Sequence, residues 1–175
     1  MTGLLRLLAP RYRVRTVTDL TPSVLRAWQI EALMLDLDNT LVHWGETTPP
    51  RTVGVWIDEL QRVGIPACLV SNNVNRRVRT AARLLRLPFA EGRYKPSGSK
   101  LRHALSLLGT PPQRTAMVGD QLFTDILAGN RIGVPTVLTA PLSPREAVRT
   151  RTLRIFERLV LVALSRRGIA PQEPV

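Results

Sequence analysis

The chain has one cysteine, two lysines, six aspartates and few aromatic residues, and each scarcity narrows what it can be. The lone thiol, Cys68, cannot close an internal disulfide. Its apolar neighbours mark it as a small buried residue, and a reducing cytoplasm is the expected compartment. Aromatics make up 5% of the 175 residues and no run alternates them with basic residues, so the stacking platform of a single-strand nucleic-acid binder is missing. Long apolar runs are missing too. None reaches the ~18–20 residues that a membrane-spanning helix needs. The start, MTGLLRLLAPRYRVR, interrupts its short apolar part with an arginine and lacks a small-residue cleavage pattern, so no secretory signal is expected.

What is present is basic and globular. A hydrophobic fraction of 44% argues against disorder, and a net charge of +12 comes almost wholly from arginine, since Lys95 and Lys100 are the only lysines. A basic surface of this kind attracts polyanions, whether anionic lipid headgroups or nucleic acid. The length fits one domain. The expected organisation is a basic arm over residues 1–15, a single domain over 16–167 and a tail over 168–175, with no internal repeat and no dividing linker.

Hydrophobic periodicity predicts five short strands: Ala32–Leu37, Pro66–Val70, Leu87–Ala90, Arg114–Val118 and Val134–Leu138. Between them, helices are expected over Thr52–Val63, Asn75–Arg86 and Ser97–Leu108, with a partly helical stretch Gln121–Asn130 and a last helix Arg149–Arg166. Strands alternating with helices imply parallel pairing through crossovers. The fold expected is therefore α/β, a three-layer Rossmann-like parallel sheet with helices on both faces. The polar groups Asp36/Asp38, Ser71/Asn72, Lys95 and Gly119/Asp120 each follow a strand, so a parallel sheet would bring them to one edge, where ligands of such folds sit.

Of the six aspartates, Asp36, Asp38, Asp120 and Asp125 lie in two short motifs. Carboxylates held close together repel unless a cation or a shared proton sits with them. Carboxylates, a lysine, hydroxyls and amides at one edge suit a hard cation such as Mg²⁺ together with a phosphate group. One carboxylate could attack phosphorus while a second gives a proton to the leaving oxygen.

The stretch DLDNT resembles the first motif of the haloacid-dehalogenase superfamily, Asp-x-Asp-x-Thr. Ser71, Lys95-Pro96 and GDQLFTD are similar to its second, third and fourth motifs, in that order. More narrowly, LDLDNTLV, VSNN, YKP and GDQLFTDILAGNR resemble the YqeG group of type IIIA phosphatases, which is related to mitochondrial phosphatidylglycerophosphatases. The resemblance runs from about Thr16 to Arg154. It implies that Asp36 is the nucleophile that becomes an aspartyl-phosphate and that Asp38 is the general acid, then the base. It implies that Asp36, Asp120 and the main-chain carbonyl of Asp38 hold Mg²⁺ with Asp125 in support. Ser71 and the Asn72 main chain would hold phosphoryl oxygens, and Lys95 would neutralise charge. Members that cleave carbon–halogen bonds lack the second aspartate, so Asp38 favours a phosphohydrolase. Tyr94 departs from the pattern, where a small residue is expected before Lys-Pro.

The intervals between motifs hold one helix and its strand each, with no room for a cap domain. A phosphomonoesterase acting on a phosphorylated lipid headgroup, phosphatidylglycerophosphate above all, is the leading expectation. Nucleic-acid ends or small phosphometabolites are alternative substrates, and a basic nucleic-acid-binding or assembly protein with weak phosphatase activity is an alternative of another class. Asn73 is expected to cap a helix rather than bind a ligand. The last helix carries a wide apolar face bordered by Arg151, Arg154, Arg158, Arg166 and Arg167, suited to packing on the sheet or to contact with a membrane surface or partner.

Overall fold

The computed structural model of the chain describes residues 2–73, 76–143 and 148–174. The strands are β1 (Tyr12–Val14), β2 (Ala32–Leu35), β3 (Ala67–Leu69), β4 (Thr115–Gly119) and β5 (Thr136–Thr139). The α-helices are α1 (Thr2–Leu7), α2 (Pro22–Ala27), α3 (Arg51–Arg62), α4 (Arg76–Leu85), α5 (Ser99–Leu108), α6 (Leu127–Arg131) and α7 (Val148–Ser165). All strand pairs are parallel, in the order β1-β5-β4-β2-β3. A parallel sheet must be covered on both faces. Every residue of β2, β3, β4 and β5 is accordingly buried.

Alternation along the strands divides the core into two layers. Leu33 and Leu35 of β2 join Leu69, Val118 and Val137 on one face, packed by Val53, Trp56, Ile57 and Leu60 of α3 and by Val78, Ala81, Ala82 and Leu85 of α4. Met34, Cys68 and Met117 point to the other face, against Leu101 and Ala104 of α5 and Ala128 of α6. The helices begin and end where local chemistry directs. Thr21 accepts a hydrogen bond from the Val24 amide at the start of α2, with Pro22 in its first turn. Gly109 takes φ +66 to close α5.

The segment expected to be a surface arm instead supplies the edge strand β1, paired to β5 in the register Tyr12 to Val137 and Val14 to Thr139. Tyr12 and Val14 are buried and Arg13 between them is exposed, an alternation too short to stand out among flanking arginines. The tail is tied down as well: Gln172 donates its amide to the Arg11 carbonyl and accepts from the Arg13 amide on the free side of β1. Conversely, Leu87–Ala90 makes only a bridge at Phe89 beside Leu69. Pro88 accepts from the Leu69 amide but has no N–H to return, so the pairing does not extend. The start of the helix expected over Asn75–Arg86 lies outside the described residues. Gln121–Asn130 becomes a π-helical turn, Leu122–Ile126, running into α6.

The connectivity fixes where the site lies. From β2 the chain crosses to β3 on one side and returns to β4 on the other, so the carboxyl end of β2 is the switch point of the sheet, where a crevice opens. No cap domain is inserted among the described residues. The edge strand should matter to stability, because the Tyr12 ring stacks on Trp28 with centroids 4.0 Å apart. Tyr12→Ala is expected to lower unfolding free energy by about 3 kcal/mol, read as a shift of the urea midpoint, whereas a surface arm would show almost no change.

Candidate active site

The end of β2 is held into the sheet one residue beyond the strand: the Asp36 amide donates to the Val118 carbonyl at 2.9 Å. The chain then folds into a compact turn in which the Leu41 and Val42 amides donate to the Leu37 carbonyl. Asn39 sits at φ +61 in this turn and its side-chain oxygen accepts from the Trp44 amide. Asparagine tolerates the left-handed region better than most residues. The turn carries Asp38 away from the strand end to the rim of the crevice. There one carboxylate oxygen pairs with Arg77 of α4 at 2.6 Å, and the other accepts from the Asn73 side-chain amide at 2.8 Å.

Lys95 occupies the centre. Its ammonium donates to Asp36 Oδ1 at 2.5 Å, Asp125 Oδ1 at 2.6 Å and the Val70 carbonyl at 2.7 Å, which satisfies all three of its protons. Asn72 holds the Lys95 backbone from both sides, accepting from its amide and donating to its carbonyl. Asp125 comes from the π-helical turn after β4, and its second oxygen accepts from the Gln121 amide. It packs directly over Gly119, where a Cβ would meet Asp125 Oδ2 at 2.3 Å.

Asp36, Asp120 and Asp125 each offer an oxygen, and these atoms lie within 4.8 Å of one another. Oδ1 of Asp120 is buried with no hydrogen-bond partner among the described residues. A group of carboxylate oxygens with one left unsatisfied fits a hard divalent cation. The Asp38 side chain is outside this group. Ser71 is buried, its hydroxyl accepting from the Asn73 amide and its carbonyl from the Lys100 ammonium.

Five residues around this group go beyond the motif reading. Asn73 touches Asp38 instead of acting only as a cap. Arg77 reaches the same carboxylate and also donates to the Glu46 carbonyl. Arg154, read as bordering the apolar face of the last helix, turns inward and binds both the side chain and the carbonyl of Asp120. Glu157, one turn on, pairs with Arg154 and accepts from the Leu122 amide at 2.7 Å, fixing the π-helical turn. Lys100 lies fully buried beneath Tyr94, whose ring centroid is 5.3 Å from the ammonium; a large residue before Lys-Pro thus covers a second lysine. Arginine-rich helices give no periodic signal that separates Arg77 and Arg154 from their neighbours. Lys100 did carry one signal, being one of only two lysines.

Burial pushes the Asp36 carboxyl up to about 7, against the pull of Lys95. It also raises Asp120 well above the usual carboxylate range, with Arg154 opposing. Burial works against the Lys95 ammonium, but Asp125 and Asp36 outweigh it and hold Lys95 above the ordinary lysine value. Lys100 is lowered, first by burial and then by Lys95. Cys68, by contrast, is pushed up to about 12 by burial and is an inert core thiol.

The HAD-hydrolase-like family model matches residues 93–141. The Bacillus subtilis protein named "Probable phosphatase YqeG" is 35% identical over 155 residues, covering 89% of this chain and 90% of its own. The chain belongs to the YqeG-like phosphatases of the haloacid-dehalogenase superfamily. A further relative, the Arabidopsis thaliana protein "Phosphatidylglycerophosphate phosphatase 1, chloroplastic/mitochondrial", is 26% identical over an alignment of 178 positions that covers 93% of this chain and 49% of that protein. Among solved structures, a haloacid-dehalogenase-superfamily hydrolase from Ehrlichia chaffeensis aligns with a TM-score of 0.52 at 15% identity, over 75% of this chain and 98% of that one. A cobalt-bound deoxy-D-mannose-octulosonate 8-phosphate phosphatase from Haemophilus influenzae aligns with 0.51 at 14% identity, over 79% and 91%. These two share the fold of this chain. In a YqeG-like phosphatase the close approach of Asp125 to Gly119 should be sensitive to a single methyl. Gly119→Ala is expected to displace Asp125 from Lys95 and reduce turnover of p-nitrophenyl phosphate by about a hundredfold, with circular dichroism showing the fold retained.

Proposed function

We propose that this phosphatase is a Mg²⁺-dependent phosphomonoester hydrolase that works through an aspartyl-phosphate on Asp36, with phosphatidylglycerophosphate as its leading substrate, acting in the cytoplasm. The observation that carries the reading is the different setting of the two neighbouring aspartates. Asp36 is buried against Lys95 beside Asp120 and Asp125, whereas Asp38 stands at the rim with Arg77 and Asn73.

In the first step an ionised Asp36 oxygen attacks phosphorus and the bond to the ester oxygen breaks. Asp38 gives that oxygen its proton, and the alcohol leaves. In the second step Asp38 takes a proton from water as the water oxygen attacks phosphorus, the bond to Asp36 breaks, and inorganic phosphate departs with Asp36 and Asp38 restored. Lys95 keeps the Asp36 carboxylate oriented and offsets charge. The Ser71 hydroxyl and the Asn72 main chain are assigned to the phosphoryl oxygens. Asp36, Asp120 and the Asp38 carbonyl would hold Mg²⁺, with Asp125 in support, and the cation bound there supplies charge that lets an anion approach a phosphate.

The lipid assignment is supported by the name of the Arabidopsis relative, the lack of a cap among the described residues and the basic charge. Phosphate release from vesicles containing phosphatidylglycerophosphate, in the presence of MgCl₂, tests it directly. Wild type is expected to release phosphate and Asp36→Asn to lose activity by about a thousandfold or more. Faster turnover of soluble sugar phosphates or 3′-phosphorylated oligonucleotides than of the lipid would sink the substrate assignment, and full activity of Asp36→Asn would sink the mechanism.

The raised carboxyls also set the pH dependence. Below the ordinary aspartate value both folded and unfolded chains are protonated at Asp36. Between that value and about 7 only the unfolded chain ionises, so through this group the metal-free fold loses stability as pH rises across the window. Cation binding requires the ionised form. The rise in melting temperature on adding MgCl₂ should therefore grow from about pH 6 to about pH 8, and Asp36→Asn should flatten that trend.

A further inference from the structure

The long sides of α7 face different surroundings. Arg154, Glu157, Leu161 and Leu164 follow one another on the inner side. Arg154 and Glu157 grip Asp120 and Leu122, and Val160 and Leu161 pack on Leu122, Ile126 and Leu138. Ile155, Phe156, Leu159 and Val162 fall on the opposite side at helical spacing, and they are 61%, 54%, 61% and 49% exposed. Arg158, Arg166 and Arg167 are exposed around them. Toward the end of the helix, Leu159, Val162, Ala163, Arg166 and Arg167 line a shallow groove of about 360 Å³. The sole acid of α7, Glu157, is turned inward, so the outer face presents apolar and cationic groups without an anion.

We infer that the outer face of α7 docks on an anionic phospholipid bilayer, with the apolar side chains among the acyl chains and the arginines at the headgroup phosphates. Charge complementarity selects this occupant. A second copy of the chain would cover the apolar residues but would bring Arg158, Arg166 and Arg167 of two basic molecules together. A nucleic-acid backbone would satisfy the arginines and leave four large apolar residues in water. An anionic bilayer matches both parts, each arginine at the surface contributing about fivefold in partitioning. The inner side of the same helix holds Asp120 and the turn after β4, so the helix that docks is also the one that braces the carboxyl edge of the sheet. Docking rests on the lipid-substrate reading only for its use, since it is measured without turnover.

Co-sedimentation with vesicles tests it, comparing phosphatidylcholine alone with phosphatidylcholine containing one third phosphatidylglycerol. Wild type is expected to sediment with the anionic vesicles and to be released by high salt. Phe156→Ser combined with Leu159→Ser, and separately Arg158→Glu combined with Arg166→Glu, should each weaken that binding by about tenfold or more while p-nitrophenyl phosphate turnover stays within about twofold. Equal recovery with neutral and anionic vesicles, or none with either, overturns the inference. So does a dimer in analytical ultracentrifugation that Phe156→Ser with Leu159→Ser converts to monomer, because a second copy then covers the face. Wild type that docks on anionic vesicles yet leaves phosphatidylglycerophosphate intact supports docking and removes the lipid as substrate.

Discussion

A lysine ammonium with 2% of its side chain exposed is costly to bury, and here it is buried against two carboxylates and a carbonyl that together use all its protons. Remove that cation and Asp36 and Asp125 face one another as buried carboxylates without the ammonium between them. Their mutual repulsion already acts with burial to raise Asp36 despite Lys95. Much of the surrounding chain keeps this contact in place. Asn72 clamps the Lys95 backbone, Gly119 leaves space for Asp125, and the β2–β4 ladder continues one residue past the strand to fix Asp36. The crossover between β3 and β4 then makes the meeting point a crevice at the sheet edge instead of a sealed interior.

The other two carboxylates receive cations from elsewhere in the chain, Arg77 of α4 for Asp38 and Arg154 of α7 for Asp120. Breaking a buried ion pair leaves an uncompensated charge, which is far more destabilising than losing an exposed pair. The exposed pairs Arg86–Asp58 and Arg114–Glu31 lie outside this set and contribute little. Stability and function are therefore linked through the same few residues. The terminal helix is part of the site's electrostatics as much as of its packing, since Arg154 and Glu157 brace both the side chain of Asp120 and the turn that follows it.

Much of this was legible in the sequence, for physical reasons that also explain the rest. Buried strands of a parallel sheet read as apolar runs, so β2 through β5 stand out, and residues that follow them must share an edge. That is why Asp36, Asp120, Asp125 and Lys95 lie together, as their places after successive strands imply. Tyr12–Val14 escaped because an edge strand of three residues with an arginine in the middle looks like any basic stretch. Leu87–Ala90 misled in the opposite sense: its composition suits a strand, but Pro88 cannot return a hydrogen bond. Arg77 and Arg154 reach the site from helices whose surface and inner arginines alternate without any difference in residue type, whereas Glu157 does stand apart as the sole acid of its helix. Only the docking of the helix decides which is which.

Composition and site meet in the use of lysine. The two lysines among 25 basic residues are both buried, at 5% and 0% exposure, while arginine serves the rim and the surface. The difference follows from shape. An ammonium is a compact charge with three donors that can point at Asp36, Asp125 and Val70 at once, or fit between the Ser71 carbonyl and the Tyr94 ring. A guanidinium is a planar fork that needs acceptors in its own plane. Arg77 and Arg154 accordingly contact a carboxylate and a main-chain carbonyl side by side, where the crevice is open enough for the fork. In a chain whose other cations are all arginine, Lys95 stands where three acceptors converge on a point, Lys100 is buried against the Ser71 carbonyl nearby, and the rarity of the residue marks the interior of the site.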